Sequence, residues 1–234
     1  MLQLRKSDTR GRAEHGWLSS HHTFSFGHYH DPRHMGFGPL RVINEDRVQP
    51  AQGFGTHGHR DMEIVSYVLS GALEHKDSMG TGSVLHYGDV QRMSAGSGVT
   101  HSEFNHSQTE SVHFLQIWLL PERSGITPSY EEKYFAPDTK RGQLCLIASP
   151  DAAEGSLRIH QDARIFAAIL DDDQHLEHPL TAGRGAYVQV ARGSLTANGQ
   201  RLQQGDALQL VNEAGVVLSA GTDAEILLFD LPLR

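Results

Sequence analysis

The sequence predicts an all-β protein built from two similar units, in sandwich or barrel form. Three observations predict it. Short apolar runs rich in β-branched and aromatic residues recur along nearly the whole chain, Gly-containing turns separate them, and a pattern in the first half returns in the second. The runs follow in order. Residues 64–69 (I-V-S-Y-V-L) end at Ser70-Gly71, and residues 112–120 (V-H-F-L-Q-I-W-L-L) are closed by Pro121. Residues 144–148, 187–191, 216–219 and 226–231 read as strands by the same criteria. Only Ser129–Tyr134 (S-Y-E-E-K-Y), with Pro128 ahead of it, reads as a short helix.

The repeat is visible in the turns. S-Y-V-L-S-G-A-L at Ser66 and Q-V-A-R-G-S-L at Gln189 both run a strand into a Gly and begin a second strand. A Gly-Asp pair follows each, at Gly88-Asp89 and Gly205-Asp206, and each half ends in an apolar strand closed by Pro121 or Pro232. The boundary is expected within residues 121–142, which are rich in Pro, Gly and charge, giving units 1–134 and 135–234.

Composition narrows the function. The single cysteine, Cys145, permits no intrachain disulfide and suits a reducing compartment; with no partner it reads as a buried apolar residue. No apolar run reaches the roughly 18–20 residues of a membrane span, and the polar N-terminus lacks a signal-peptide core. A formal net charge of −8 argues against nucleic acid as the partner. The expectation is a soluble cytoplasmic protein that binds neither nucleic acid nor membrane.

Histidine is the anomaly: 16 in all, 13 of them before residue 135. In T-H-G-H-R-D-M-E, His57 and His59 share one face of a strand, roughly 7 Å apart along it. In G-S-G-V-T-H-S-E-F-N, His101 and Glu103 again share one face. Two such pairs on opposed strands supply three imidazoles and one carboxylate, leaving open positions on one divalent first-row metal. Imidazole and carboxylate suit Fe, Mn, Ni, Co, Cu or Zn. Glu63 shares parity with His57 and His59 and competes with Glu103 for the carboxylate role. In the second half, counting back from Gly193 as from Gly71 to His57 reaches Pro179 and then Thr181, so that unit is expected to bind no metal.

The paired motifs resemble those of the cupin superfamily. His57, His59, Glu63 and Gly71 fit the first, with Gly71 one residue late. Gly88, Gly96, His101 and Asn105 fit the second, with Ser94 in place of its Pro and four residues rather than two between Gly96 and His101. The H-S-E-x-N string, H-G-W-L at His15, H-T-F-S-F at His22, D-S-M-G at Asp77, S-A-G-S-G at Ser94 and I-H-Q-D-A-R at Ile159 are similar to the pirin branch, bacterial members above all. The resemblance implies a bicupin, two jelly-roll-like barrels. It also implies one metal, usually iron and so Fe(II), on His57, His59, His101 and Glu103. Glu63 is then expected behind them, where carboxylates commonly orient ligating imidazoles. Some bacterial members are described as quercetin 2,3-dioxygenases, which implies a flavonol or other enol substrate, O2, and release of carbon monoxide. Other pirins are nuclear cofactors of transcription regulators, and the alternative is a redox-sensing metal protein that binds a protein partner. The enzyme is the preferred reading. In it Glu103 is both ligand and catalytic base, its second oxygen taking a proton from a substrate hydroxyl.

The remaining histidines read as structural. His21, His22, His28, His30 and His34 form a dense run whose aromatic spacing (Phe24, Phe26, Tyr29) favours an arm packed on the domain, with His22 the candidate to line the site. His75, His86, His106 and His113 show no ligand partner at useful spacing, and His160 reads as structural.

Overall fold

The computed structural model describes residues 1–233. Strands dominate it, arranged in three sheets, with one α-helical turn at Pro137–Lys140 among the described residues. A four-stranded sheet, in the order Gly53–His59, Val99–Asn105, Leu73–Asp77 and Gly82–Leu85, belongs to the first half. So does a seven-stranded sheet whose central strands are Glu63–Ser70, Val112–Leu119 and Leu40–Val48. Eight strands of the second half, with one from the first, form a nine-stranded sheet around the long strands Arg184–Ala197 and Gly215–Pro232. The all-β expectation holds.

Three local expectations are corrected. Ser129–Tyr134 is a strand: it pairs antiparallel with Asp89–Ser94 from Ser129↔Ser94 to Tyr134↔Asp89. Six residues are too few for a stable helix, whereas the open sheet edge satisfies their backbone and Tyr130 stacks on His75 with ring centroids 4.8 Å apart. Gly193 does not end a strand, unlike Gly71. Arg184–Ala197 runs through it with register shifts on both sides against Gly215–Pro232. The backbone there is left-handed (φ +63°), and a Cβ on Gly193 would lie 2.2 Å from the Asp223 carbonyl oxygen. Residues 216–219 and 226–231 are likewise parts of the single strand Gly215–Pro232.

The halves are interleaved. The first strand, Leu2–Arg5, adds to the nine-stranded sheet by pairing with Ala207–Val211. One apolar cluster runs across the contact between the halves, with Phe24, Tyr67 and Leu115 from the first and Tyr187, Leu227 and Phe229 from the second. Inside it the fully buried Lys140 donates to the Tyr67 hydroxyl (2.8 Å) and to Glu225 Oε1 (3.3 Å). A buried ammonium is tolerated because both contacts are hydrogen bonds and one is to a carboxylate.

Candidate metal centre

The site is built on three neighbouring strands of the four-stranded sheet. Antiparallel register sets His101 opposite His57 and Val99 opposite His59. On its other edge the strand Val99–Asn105 sets His101 opposite Asp77 and Glu103 opposite His75. Two-residue periodicity then brings His57, His59, His101, Glu103 and His75 to one face.

Three imidazoles converge. The ring centroids lie 4.8 Å apart for His57 and His59, 4.6 Å for His57 and His101, and 4.9 Å for His59 and His101. The His57 Nδ1–H donates to the Gly55 carbonyl at 2.8 Å, so its Nε2 carries the lone pair. That Nε2 lies 3.1 Å from His101 Nε2. The far nitrogen of His101 is part of a chain: its Nδ1 is 3.5 Å from His75 Nδ1, and His75 Nε2–H donates to Asp77 Oδ2 at 3.0 Å. With His75 Nε2 holding a proton for Asp77, its Nδ1 accepts from His101, and the His101 lone pair also falls on Nε2. Two lone pairs facing each other at 3.1 Å suit a cation placed between them, because a transition metal sits about 2.0–2.1 Å from an imidazole nitrogen. Burial and the neighbouring imidazoles lower His59 to about 4 and His101 to about 3, keeping both in the neutral form that a metal would require.

Glu103 stands deeper, buried, with both oxygens engaged. Oε1 accepts from Ser66 Oγ (3.2 Å) and Gln91 Nε2 (3.3 Å), and Oε2 from Gln116 Nε2 (2.7 Å). The free second oxygen that the sequence suggests is therefore already hydrogen-bonded. Burial, with Asp46 adding to it, raises the carboxyl to about 7 against these three donors. Candidate ligand atoms form two groups that share His101: His57, His59 and His101, and, further in, His75, His101 and Glu103.

Glu63 is elsewhere. Its Oε2 accepts from Ser94 Oγ (2.9 Å) and the His160 amide (3.0 Å), which ties it to the I-H-Q-D segment of the second half and not to the imidazoles. The parity argument fails because the strand stops at His59 and turns through Asp61, whose φ is +51°, before Glu63 opens the next strand in the other sheet.

The imidazoles open onto a cavity of about 440 Å³, a size at the lower end of small-molecule sites. Trp17, Leu18, Phe26, Phe54, Ile64 and Trp118 give it apolar walls. The arm enters those walls: His22 is buried and packs edge-on against Phe26, which in turn meets Trp118, and His28 and Tyr29 line the rim. His21, His30 and His34 are not part of the lining. In the second half His178 Nε2–H donates to Asp230 Oδ2 at 2.8 Å.

Sequence reasoning missed His75, Asp77, Asn44, Asp46 and Gln116. A signal existed for the first two: H-K-D has the same i, i+2 spacing as H-G-H, and Asp77 opens the D-S-M-G string.

Comparison with known proteins identifies the family. The family described as Pirin matches residues 3–119, and the Quercetinase C-terminal cupin domain matches residues 146–231. The chain is 49% identical over 232 residues to the quercetin 2,3-dioxygenase of Escherichia coli (strain K12), covering 99% of each. It is 39% identical to a pirin-like protein of Caulobacter vibrioides, over 98% of this chain and 99% of that protein. The crystal structure of the bacterial pirin YhhW in complex with nickel(II) from Escherichia coli superposes with a TM-score of 0.96 at 48% identity over the whole of both chains.

Proposed function

The chain belongs to the pirin family, its two cupin domains making an all-β bicupin, and from that premise we propose that it is a metal-dependent dioxygenase that opens a flavonol such as quercetin with O2. The observation that carries the reading is the pair of ring nitrogens, His57 Nε2 and His101 Nε2, facing each other at 3.1 Å at the edge of an aromatic cavity. In this reading His57, His59, His101 and Glu103 hold one divalent metal per chain. Fe(II) is the first choice, with nickel, the ion bound in the YhhW structure, and Mn, Co, Cu or Zn as the alternatives that loading experiments separate. A metal held there supplies Lewis acidity toward a substrate hydroxyl and a route for electrons to O2. The remaining work falls to the protein. The aromatic walls hold a flat ring, the arm carrying His22 and Phe26 keeps water out, and Glu103 takes the proton of the enol hydroxyl, at an oxygen that gives up its hydrogen bonds from Ser66 and Gln91 to do so. Both oxygen atoms enter the ring-opened product and one ring carbon leaves as carbon monoxide, which balances the reaction. The division into a metal-binding unit 1–134 and a second unit 135–234, and a cytoplasmic location, belong to the same reading; among the described residues no helix is long and apolar enough to cross a membrane.

The test is direct. Protein loaded separately with each metal is mixed with quercetin in air, and loss of the near-visible absorption and release of carbon monoxide are followed. Turnover with at least one metal is expected. Glu103→Gln is expected to lower turnover per bound metal by at least about 10²-fold, the usual contribution of a positioned proton acceptor. No turnover with any metal would favour the regulatory alternative, and equal turnover per metal in Glu103→Gln would end the base role.

A further inference from the structure

The buried carboxyls of this protein almost all have a basic partner. Glu45 has Arg10 and His113, Glu63 has His160, Asp206 has Lys6, Glu225 has Lys140, and Asp230 has Arg184 and His178. Two do not among the described residues: Glu103, already assigned to the metal, and Asp46. Asp46 is only 4% exposed, its Oδ1 has no hydrogen-bond partner, and it lines the same cavity as the imidazoles. Asn44, two residues earlier on the strand Leu40–Val48 and therefore on the same face, lines the cavity too, is 3% exposed, and also has an unpartnered Oδ1. Four buried polar atoms of this lining have no partner: Asn44 Oδ1, Asp46 Oδ1, His22 Nδ1 and the Trp118 indole Nε1. A native protein leaves few such atoms unpaired, because each costs free energy, and the two acceptors on one strand face call for donors brought by the ligand.

The rest of the lining says what carries those donors. Trp17, Phe54, Phe26 and Trp118 favour a flat aromatic body. The cavity's one guanidinium, Arg12, is exposed, so no buried cation stands ready for a carboxylate or phosphate at the floor. Ser20, paired with Asp46 in the neighbouring strand, offers the acid a hydroxyl, and burial with the nearby Glu45 raises Asp46 to about 7.

We propose that Asp46, with Asn44 beside it, is the subsite that accepts ring hydroxyls of the substrate and makes this cavity selective for polyhydroxylated aromatics over their unhydroxylated counterparts. This deepens the dioxygenase reading and rests on it. Asp46 is a specificity-determining residue that touches substrate, distinct from the residues proposed to hold metal.

Binding reads this without turnover. Metal-loaded protein under nitrogen is titrated with quercetin and with 3-hydroxyflavone, which shares the enol but lacks the ring hydroxyls, and quenching of tryptophan fluorescence is followed. The wild type is expected to prefer quercetin by about 10-fold or more, the scale of pairing a buried acceptor that otherwise stays unpartnered. Asp46→Ala is expected to lose most of that preference while keeping its metal content and its affinity for 3-hydroxyflavone. Asp46→Asn, which keeps the shape and one acceptor, is expected to fall between and serves if the alanine variant does not fold. An unchanged preference in Asp46→Asn and Asp46→Ala would overturn the subsite and leave the dioxygenase reading standing. A wild type that binds neither flavonol would overturn both.

Discussion

His75 shows what a single side chain behind the three converging imidazoles can do for the proposed metal centre. It is fully buried, stacked on Tyr130, and passes the hold of Asp77 on to His101. Asp77 is itself fixed by the amides of Met79 (2.9 Å) and Thr81 (3.0 Å), so the chain from backbone to imidazole has no loose member. Such outer partners orient a ligating ring and set which nitrogen carries its proton. His75→Phe keeps the ring stack and removes both nitrogens. Metal affinity is expected to fall about 10–100-fold with the fold intact, measured by competition with a chelator of known affinity. Unchanged affinity would show that His101 needs no such orientation. At this scale the sequence was legible where a pair of ligand types repeated, as in H-G-H and H-S-E. It was silent where function depends on which partners a buried group lacks, as with Asp46.

Strand register turns those residues into a site. The antiparallel pairing of Gly53–His59 with Val99–Asn105 sets His57 opposite His101, and the irregularity between His101 and Glu103 moves Glu103 opposite Phe54. Alternation along a strand was readable from the spacing, but the end of that strand was not. The left-handed turn at Asp61 carries Glu63 into the other sheet, where it joins Ser94 and His160. Glu63→Gln is therefore expected to leave metal content unchanged and to lower stability by about 1–2 kcal/mol, through weaker hydrogen bonds to His160 and Ser94. Metal analysis and thermal denaturation of the same sample check both parts; loss of metal would restore Glu63 as a ligand. The same limit explains Ser129–Tyr134, whose strand state depends on the vacant edge beside Asp89–Ser94.

Across the whole molecule, the two halves share one apolar cluster, through which the second half buttresses the first. Lys140 is the buried pin of that contact, held by Tyr67 from one half and Glu225 from the other. Lys140→Ala leaves Glu225 buried without its ammonium and with only the more distant Arg192 guanidinium (3.8 Å) as a cation, and the protein is expected to lose about 3 kcal/mol of stability. Replacing both, Lys140→Met with Glu225→Gln, is expected to recover part of that loss, since no buried carboxylate remains and the Arg192 left without it is partly exposed. Denaturant unfolding of the two variants distinguishes charge from packing: equal losses would mean that the ion pair itself contributes nothing.

By itself the sequence determined the all-β class, the twofold repeat, and the two His-containing pairs, because each is written in local periodicity that a strand displays on one face. Tertiary structure decided the rest. Only folding could show that Glu103 already accepts three hydrogen bonds, that the histidine arm walls a cavity, and that Leu2–Arg5 completes the far sheet. These outcomes depend on contacts between residues distant in the chain, and on which buried groups find partners there, and neither leaves a periodic trace in the order of the amino acids.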